Sequence, residues 1–235
     1  MATPLERSCC AAAALVALLL PAAARADDIL PTPASDPPAT TAAPVDPAPG
    51  VSATPPPVRR GGLAIGLLVG GGAASIVGYP NDVTKTGYAS WYTVTGARPA
   101  TVGQLWIGAA VTEWFNLGFG FSSNRLFDTG SNTATSAGAV FRVEAFPLFP
   151  LGGHLRDLGV LFEAGPYLAS VKDPSGTALV DSSLASLVGG GVFYEGVHTW
   201  KIAQGPFLMG DYVWSDTARR PAIFAGWRVS FYRRP

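Results

Sequence analysis

The chain has 235 residues, and its 16 Lys and Arg balance its 16 Asp and Glu, so a formal net charge of zero gives no reason to invoke nucleic acid. Charged residues make up 14% and hydrophobic ones 48%. That is low in charge for a soluble domain, where about 25% is usual, yet the sequence is too polar and interrupted for a helical membrane protein.

The first 26 residues combine a positively flanked apolar run, CCAAAALVALLLPAAARA, with the small-residue pattern Ala24, Arg25, Ala26 ahead of Asp27 and Asp28. This is the layout of a secretory signal peptide, with the cut expected after Ala26. The apolar core is short for a retained anchor and Pro21 breaks it. Cys9 and Cys10 precede that core, whereas a lipid-modified cysteine would follow it. Both leave with the leader, so the mature chain is expected to carry no disulfide, reactive thiol or thiolate metal site.

Residues 27–60, DDILPTPASDPPATTAAPVDPAPGVSATPPPVRR, mix Pro, Ala, Thr and Asp with almost no large apolar side chains. Such a stretch cannot bury enough surface to offset its ordering entropy, so it is expected to be a disordered, polyproline-leaning linker. A passive tether is the simplest role for it, and a periplasmic partner that recognises proline is the alternative.

From residue 61 to 235 the texture changes to apolar segments of strand-like alternation separated by turn-rich stretches. The first, 61–78, reads GGLAIGLLVGGGAASIVG and has the length and the small-residue spacing (Gly62, Gly66, Gly70) of a membrane helix. Its alternation of Leu63, Ile65, Leu67 and Val69 with Ala64, Gly66 and Leu68 favours a strand. Segment two, 101–111, sets Val102, Gln104, Trp106 and Gly108 against Leu105, Ile107 and Ala109. Segment three, 117–127, sets Leu117, Phe119 and Phe121 against Gly118, Gly120 and Ser122, with a short turn from Glu113 to Asn116 before it.

Segment four, 136–146, is the most informative. Ala139, Phe141, Val143 and Ala145 share one face, while Gly138, Val140, Arg142 and Glu144 share the other, which must be wet or internally paired. Segment five, 159–171, puts Glu163, Gly165 and Tyr167 opposite Val160, Phe162 and Ala164. Pro166 within it donates no ladder hydrogen bond, and a bulge is expected there. Segments six (183–195) and seven (201–214) alternate less cleanly. Segment eight, PAIFAGWRVSFY, places Ile223, Ala225, Trp227, Val229 and Phe231 against Phe224, Gly226, Arg228, Ser230 and Tyr232.

Eight antiparallel strands close, whereas a lone helix at 61–78 would leave seven with an unpaired edge, and an open edge in lipid leaves backbone groups unsatisfied. The expected fold is therefore all-β: an eight-stranded antiparallel transmembrane β-barrel after a disordered proline-rich linker. A soluble β-sandwich is the rival, since alternation alone cannot tell a buried face from a lipid-facing one. Large aromatic apolar faces, opposite faces rich in Gly and Ser, and aromatics near segment ends (Trp91, Tyr92, Trp114, Trp200, Trp214, Tyr232) favour the barrel with its interfacial girdles.

Residues 61 to 235 resemble the small bacterial outer-membrane β-barrels of the OmpX, OmpW and OmpA-transmembrane-domain kind. In the last strand, GWRVSF, the residues Gly226, Val229 and Phe231 resemble the carboxy-terminal signal such barrels present to their assembly machinery. The resemblance implies residence in a Gram-negative outer membrane, with that membrane's lipids and the barrel-assembly machinery as partners.

With the linker in the periplasm, strand parity makes 79–99, 128–135, 172–182 and 215–220 outer loops and 113–116, 147–157 and 196–200 inner turns. The same parity turns Arg142, Glu144, Glu163 and Arg228, together with Glu195 and Asp211, into the lumen. There they form either a structural plug of ion pairs or the gate of a narrow pore; the small bore of an eight-stranded barrel favours the plug. Tyr79, Tyr88, Trp91 and Tyr92 give the longest outer loop an aromatic content suited to recognition.

A lipid hydrolase would need a serine, a histidine base and a carboxylate at the interface. The only histidines, His154 and His198, fall in inner turns far apart in sequence, and neither has a serine two residues away. No metal-ligand spacing is present. Gly70 to Gly72 and Gly189 to Gly191 lie within strands without the Lys and Ser or Thr of a phosphate loop, so no cofactor is expected. The expected role is non-catalytic: envelope structure or surface interaction.

Overall fold

The computed structural model describes residues 60–233; the expected signal peptide and all of the expected linker but Arg60 lie outside the described residues. Eight long strands form the barrel: β1 (Gly62–Ala74), β2 (Arg98–Thr112), β3 (Phe115–Leu126), β4 (Thr133–Ala145), β5 (Leu158–Lys172), β6 (Ala185–Tyr194), β7 (Ile202–Trp214) and β8 (Ala218–Tyr232). Each pairs antiparallel with its neighbours in sequence, and β1 also pairs antiparallel with β8 over Ala64↔Tyr232 to Ala74↔Ala222, which closes the ring. Closure leaves none of the eight as an open edge.

Period-two alternation decides what faces where. On β1, Ala64 and Leu68 are fully buried inside while Leu63, Ile65, Leu67 and Val69 are exposed outside, so the glycine-rich opening segment is a strand. The exterior is an apolar belt: Leu105, Phe119 and Phe121 are each 58% exposed, and Phe141, Phe162, Leu168, Ile223 and Trp227 join them. A contiguous exposed surface of this kind is the signature of a face that meets lipid rather than water. The polar side chains run inward instead, with Gln104, Asn116, Ser122, Asn124, Arg142, Glu144 and Glu163 buried in the lumen.

We call the end where β1 begins the base and the opposite end the rim. At the base, β2 and β3 are joined by the tight hairpin at 113–114, β4 and β5 by 146–157 with two 3-10 turns (Phe149–Leu151 and Gly153–Asp157), and β6 and β7 by 195–201. The rim carries the longest connection, 75–97, and the shorter 127–132, 173–184 and 215–217.

The ladder departs from the sequence pattern at several strand ends, including loops 79–99 and 128–135, which strands beginning at Arg98 and Thr133 shorten. The segment 61–78 is not one continuous strand: the chain leaves β1 after Ala74 and Ile76 turns inward, fully buried. It then forms the short strand Val77–Gly78, which pairs with the start of β8 and with Thr93–Val94. The expected turn at 113–116 is shorter, because β3 already begins at Phe115, and the irregularity lies between Ala110 and Thr112 on β2. The expected loop 215–220 is also shorter, since β8 starts at Ala218.

Pro166 makes no bulge. Register runs unshifted from Gly138↔Tyr167 to Phe141↔Ala164 on one side and through Pro166↔Ser186 on the other, with Pro166 on the outer face. The proline sits between its neighbours at the cost of ladder bonds, not of register.

Candidate functional site

With Asp211 in a neighbouring ion pair, the barrel interior brings Arg142, Glu144, Glu163, Glu195 and Arg228 into one network. Glu144 on β4 stands at its centre. Arg142 Nε lies 2.7 Å from Glu144 Oε1, and Arg228 reaches the same carboxylate with Nη1 at 3.0 Å from Oε1 and Nη2 at 3.1 Å from Oε2. Arg228 Nη2 is also 2.9 Å from Glu195 Oε1 and donates to Ser230 Oγ at 2.8 Å. Toward the rim, Arg142 Nη1 donates to Gln104 Oε1 at 2.6 Å, and Gln104 Nε2 donates to Glu163 Oε2 at 2.8 Å. Such charge-assisted bonds are the strong ones, and a buried charge requires them.

Glu163 and Asp211 occupy one rung, paired through Gly189 as Glu163↔Gly189↔Asp211. A Cβ on Gly189 would stand 3.0 Å from Asp211 Cβ and 3.1 Å from Glu163 Cγ, so glycine is what lets the two side chains approach. Arg220 Nη2 balances Asp211 at 2.8 Å from Oδ1. Arg220 had been read into an outer loop; the early start of β8 makes it a fully buried lumen residue.

Glu195 lies just past β6 in the base connection and is fully buried, as is Asp157, which lies in the 3-10 turn before β5. Arg60, the last residue of the expected linker, joins them: its Nε is 2.9 Å from Glu195 Oε2 and its Nη2 is 2.8 Å from Asp157 Oδ1. Charges therefore alternate without a break through Asp157, Arg60, Glu195, Arg228, Glu144, Arg142 and Glu163. Every buried arginine among the described residues also lies over an aromatic ring: Arg60 over Phe146 at 3.6 Å, Arg228 over Phe193 at 3.7 Å, Arg220 over Tyr167 at 5.3 Å and Arg142 over Trp106 at 5.7 Å. Flat, weakly hydrated guanidiniums suit this setting better than ammonium groups would.

On the sequence alone Gln104 shares a face with Trp106 opposite Leu105, Tyr232 shares the face of Arg228 yet counts among the girdle aromatics, and Asn116 falls in a turn. Asn116 Nδ2 donates to Glu144 Oε2 at 3.0 Å, and the Tyr232 hydroxyl donates to Glu195 Oε1 at 2.9 Å. Tyr232 is thus a lumen residue and not part of an aromatic girdle. Trp114 and Trp200 at the base and Trp214 at the rim are exposed on the outside, as girdle residues are.

At the rim, Tyr79 packs against Tyr92 with ring centroids 5.0 Å apart; Tyr92, Tyr88 and Trp91 are all exposed, the last two around a 3-10 turn (Ala89–Trp91), and Lys85 Nζ sits 4.8 Å over the Trp91 ring. Of the carboxy-terminal trio, Gly226 faces inward against Phe207 and the β1 backbone, and Val229 and Phe231 face outward. His154 and His198, distant in sequence, line one base pocket of about 410 Å³ with Arg156 and Asp157; His198 Nε2 lies 3.5 Å from Asp157 Oδ1.

A closed ring of eight antiparallel strands, with a charged interior and an apolar belt, defines a small eight-stranded β-barrel of the transmembrane type. No protein-family model and no curated protein sequence matches this chain. Among solved structures it is similar to Neisserial surface protein A, at 11% identity and TM-score 0.45 over 73% of this chain and 97% of that one. It is also similar to Ail, the attachment invasion locus protein of Yersinia pestis, solved with the heparin analogue sucrose octasulfate, at 12% identity and TM-score 0.32 over 73% and 99% of the two chains. A de novo designed transmembrane β-barrel is a further likeness, at 16% identity and TM-score 0.24 over 69% and 93%.

Proposed function

We propose that this protein is a non-catalytic outer-membrane barrel whose lumen is plugged by its own side chains and whose role is envelope structure or interaction at the cell surface. The observation that carries the reading is the pairing of Arg228 with Glu144 across a lumen that is otherwise filled with side chains, inside an apolar exterior. An eight-stranded bore is only wide enough for side chains to fill, and a plug of paired charges leaves the outside as the working surface.

Tight connections belong on the periplasmic side of such barrels and long ones outside, so the base, with its 113–114 hairpin, faces the periplasm and the 75–97 loop faces the medium. Residues 1–26 serve as a cleaved signal peptide, and the proline-rich segment stays in the periplasm, free to meet a partner there. Tyr88, Trp91 and Tyr92, with Tyr79 packed on Tyr92, form the recognition surface of the outer loop, and Gly226, Val229 and Phe231 present the last strand to the assembly machinery. A hydrolase is disfavoured because the described lining of the pocket that gathers His154, His198 and Asp157 holds glycine and arginine and no hydroxyl nucleophile.

The test is gel migration of the purified protein in detergent with and without boiling, paired with single-channel recording in planar bilayers. A boiling-dependent shift without steady conductance is expected. Steady conductance would overturn the plug in favour of a pore, and the absence of both shift and membrane insertion would overturn the barrel as a membrane protein.

A further inference from the structure

Arg60 is buried at the base of the barrel, two residues before the strand ladder begins. Pairing of β1 begins only at Gly62, opposite Ala110, and Gly62 has φ +69°, with Gly61 before it. A side chain at 62 would collide with the carbonyl oxygen of Arg233, so the chain turns off the sheet at a position that favours glycine. Arg60 is then held by its side chain, and that side chain touches all three base connections. Its Nη1 is 3.4 Å from the Glu113 carbonyl oxygen in the first, Nη2 is 2.8 Å from Asp157 Oδ1 in the second, and Nε is 2.9 Å from Glu195 Oε2 in the third. The Phe146 ring backs the guanidinium at 3.6 Å.

We propose that Arg60 is a withdrawable stopper: the segment leading into β1 seals the base by seating one guanidinium in an anionic, aromatic-backed socket, and its withdrawal exposes that socket to another guanidinium. The proposal rests on the plugged-barrel reading and adds that closure of the base belongs to a residue outside the strands. Three observations support it. The chain leaves the sheet through two glycines, Gly61 and Gly62, the second at φ +69°. The socket's acids keep other partners when Arg60 leaves, since Glu195 retains Arg228 at 2.9 Å and the Tyr232 hydroxyl at 2.9 Å, and Asp157 retains His198 at 3.5 Å. Two carboxylates approached from different edges of one planar cation, over a ring face, match a guanidinium and not the point charge of an ammonium.

The experiment places a reporter thiol above the stopper, as Ser230→Cys, in the full chain with Cys9 and Cys10, its only cysteines, changed to serine. Ser230 is fully buried. With Arg60 present the thiol is expected to resist a water-soluble methanethiosulfonate reagent. Arg60→Ala should speed modification by at least an order of magnitude, and methylguanidinium should slow it again where the same concentration of methylammonium does not. Equal rates with and without Arg60 would overturn the proposal, as would equal protection by the two cations, because the socket would then read charge alone. Boiling-dependent migration of each variant separates this result from failure of the barrel itself. If Arg60→Ala does not fold, Arg60→Lys is measured in its place, with an intermediate rate expected. Failure of both to fold, beside a parent that folds, would make Arg60 a fixed keystone and sink the stopper.

Discussion

Arg228 on β8 and Glu144 on β4 form a two-pronged ion pair, at 3.0 Å and 3.1 Å, between strands that lie diametrically opposite in the ring of eight. One guanidinium and one carboxylate thus span the bore. Sheet hydrogen bonds fix only neighbouring strands, so this pair ties together parts of the wall that the ladder cannot connect directly.

The two partners differ in how replaceable they are. Glu144→Ala leaves Arg142 with Gln104 and a carboxylate, Glu163, no nearer than 3.8 Å, deep in the lumen. Arg228→Met leaves Glu144 with Arg142 at 2.7 Å and Glu195 with Arg60 at 2.9 Å. Breaking a buried pair by removing one partner costs about 3–5 kcal/mol where a charge is left uncompensated, so Glu144→Ala is expected to reach that range and Arg228→Met to fall clearly short of it. Urea unfolding of the barrel in vesicles reads the order. Equal losses, or the reverse order, would contradict a network centred on Glu144.

The apolar belt makes its own prediction. Leu105 lies midway along β2 and Val111 near its base end, and both face outward with 58% and 59% exposure. In a bilayer an outward arginine costs about 2–4 kcal/mol at midplane and about 0–1 near the interface. Leu105→Arg should therefore destabilise the folded barrel in vesicles strongly and Val111→Arg hardly at all. A water-facing exterior predicts that both are neutral, so refolding yield in lipid against depth decides which medium this surface meets.

Tyr232 tests the inside in the same way. Its hydroxyl donates to Glu195 Oε1 at 2.9 Å and accepts from Asn116 Nδ2 at 3.3 Å. A hydrogen bond to a charged group contributes about 1.5–3 kcal/mol, so Tyr232→Phe is expected to lower the unfolding free energy by that scale, read as a lower urea midpoint. Trp200→Phe, on an exposed base aromatic, should leave it nearly unchanged. Comparable small effects for both would return Tyr232 to the interfacial girdle.

The wall of this barrel was legible because alternation is a local signal. Arg142 and Glu144, two residues apart on β4, had to share a face, and Phe141 and Val143 had to share the other. The base of the site was not legible for the same reason. Arg60 and Asp157 come from a linker end and a connection, where no period reports direction, whereas Glu195, which parity sends inward, lies just past β6; Arg220 and Asn116 sit where strands run further than their apolar residues do. Nothing local marks Arg60, two residues ahead of β1, as entering a lumen. Pro166 misled because missing ladder bonds and a shifted register are separate consequences, and on an outward-facing position the strand keeps its register and forgoes only the bonds.

At the rim, Asp82 caps a turn in the 75–97 loop, and the turn is expected to be sensitive to acid. Its carboxylate is pulled down to about 2 by hydrogen bonds from the Thr84 hydroxyl, at 2.7 Å, and the Thr84 backbone N–H, at 2.9 Å, with Lys85 Nζ 3.1 Å away. Lys85 in turn stacks on Trp91 at 4.8 Å. A carboxylate depressed in the folded state stabilises its turn fully above its unfolded value of 3.8 and loses that contribution as pH falls through about 2. The Trp91 contribution to fluorescence, taken as the difference between the parent and Trp91→Phe, should therefore stay constant from neutral pH down to about 4 and change below it. In Asp82→Asn the acid transition should be absent and the Trp91 signal altered already at neutral pH. A transition that survives in Asp82→Asn would assign the acid sensitivity to another group and detach the Trp91 surface from this turn.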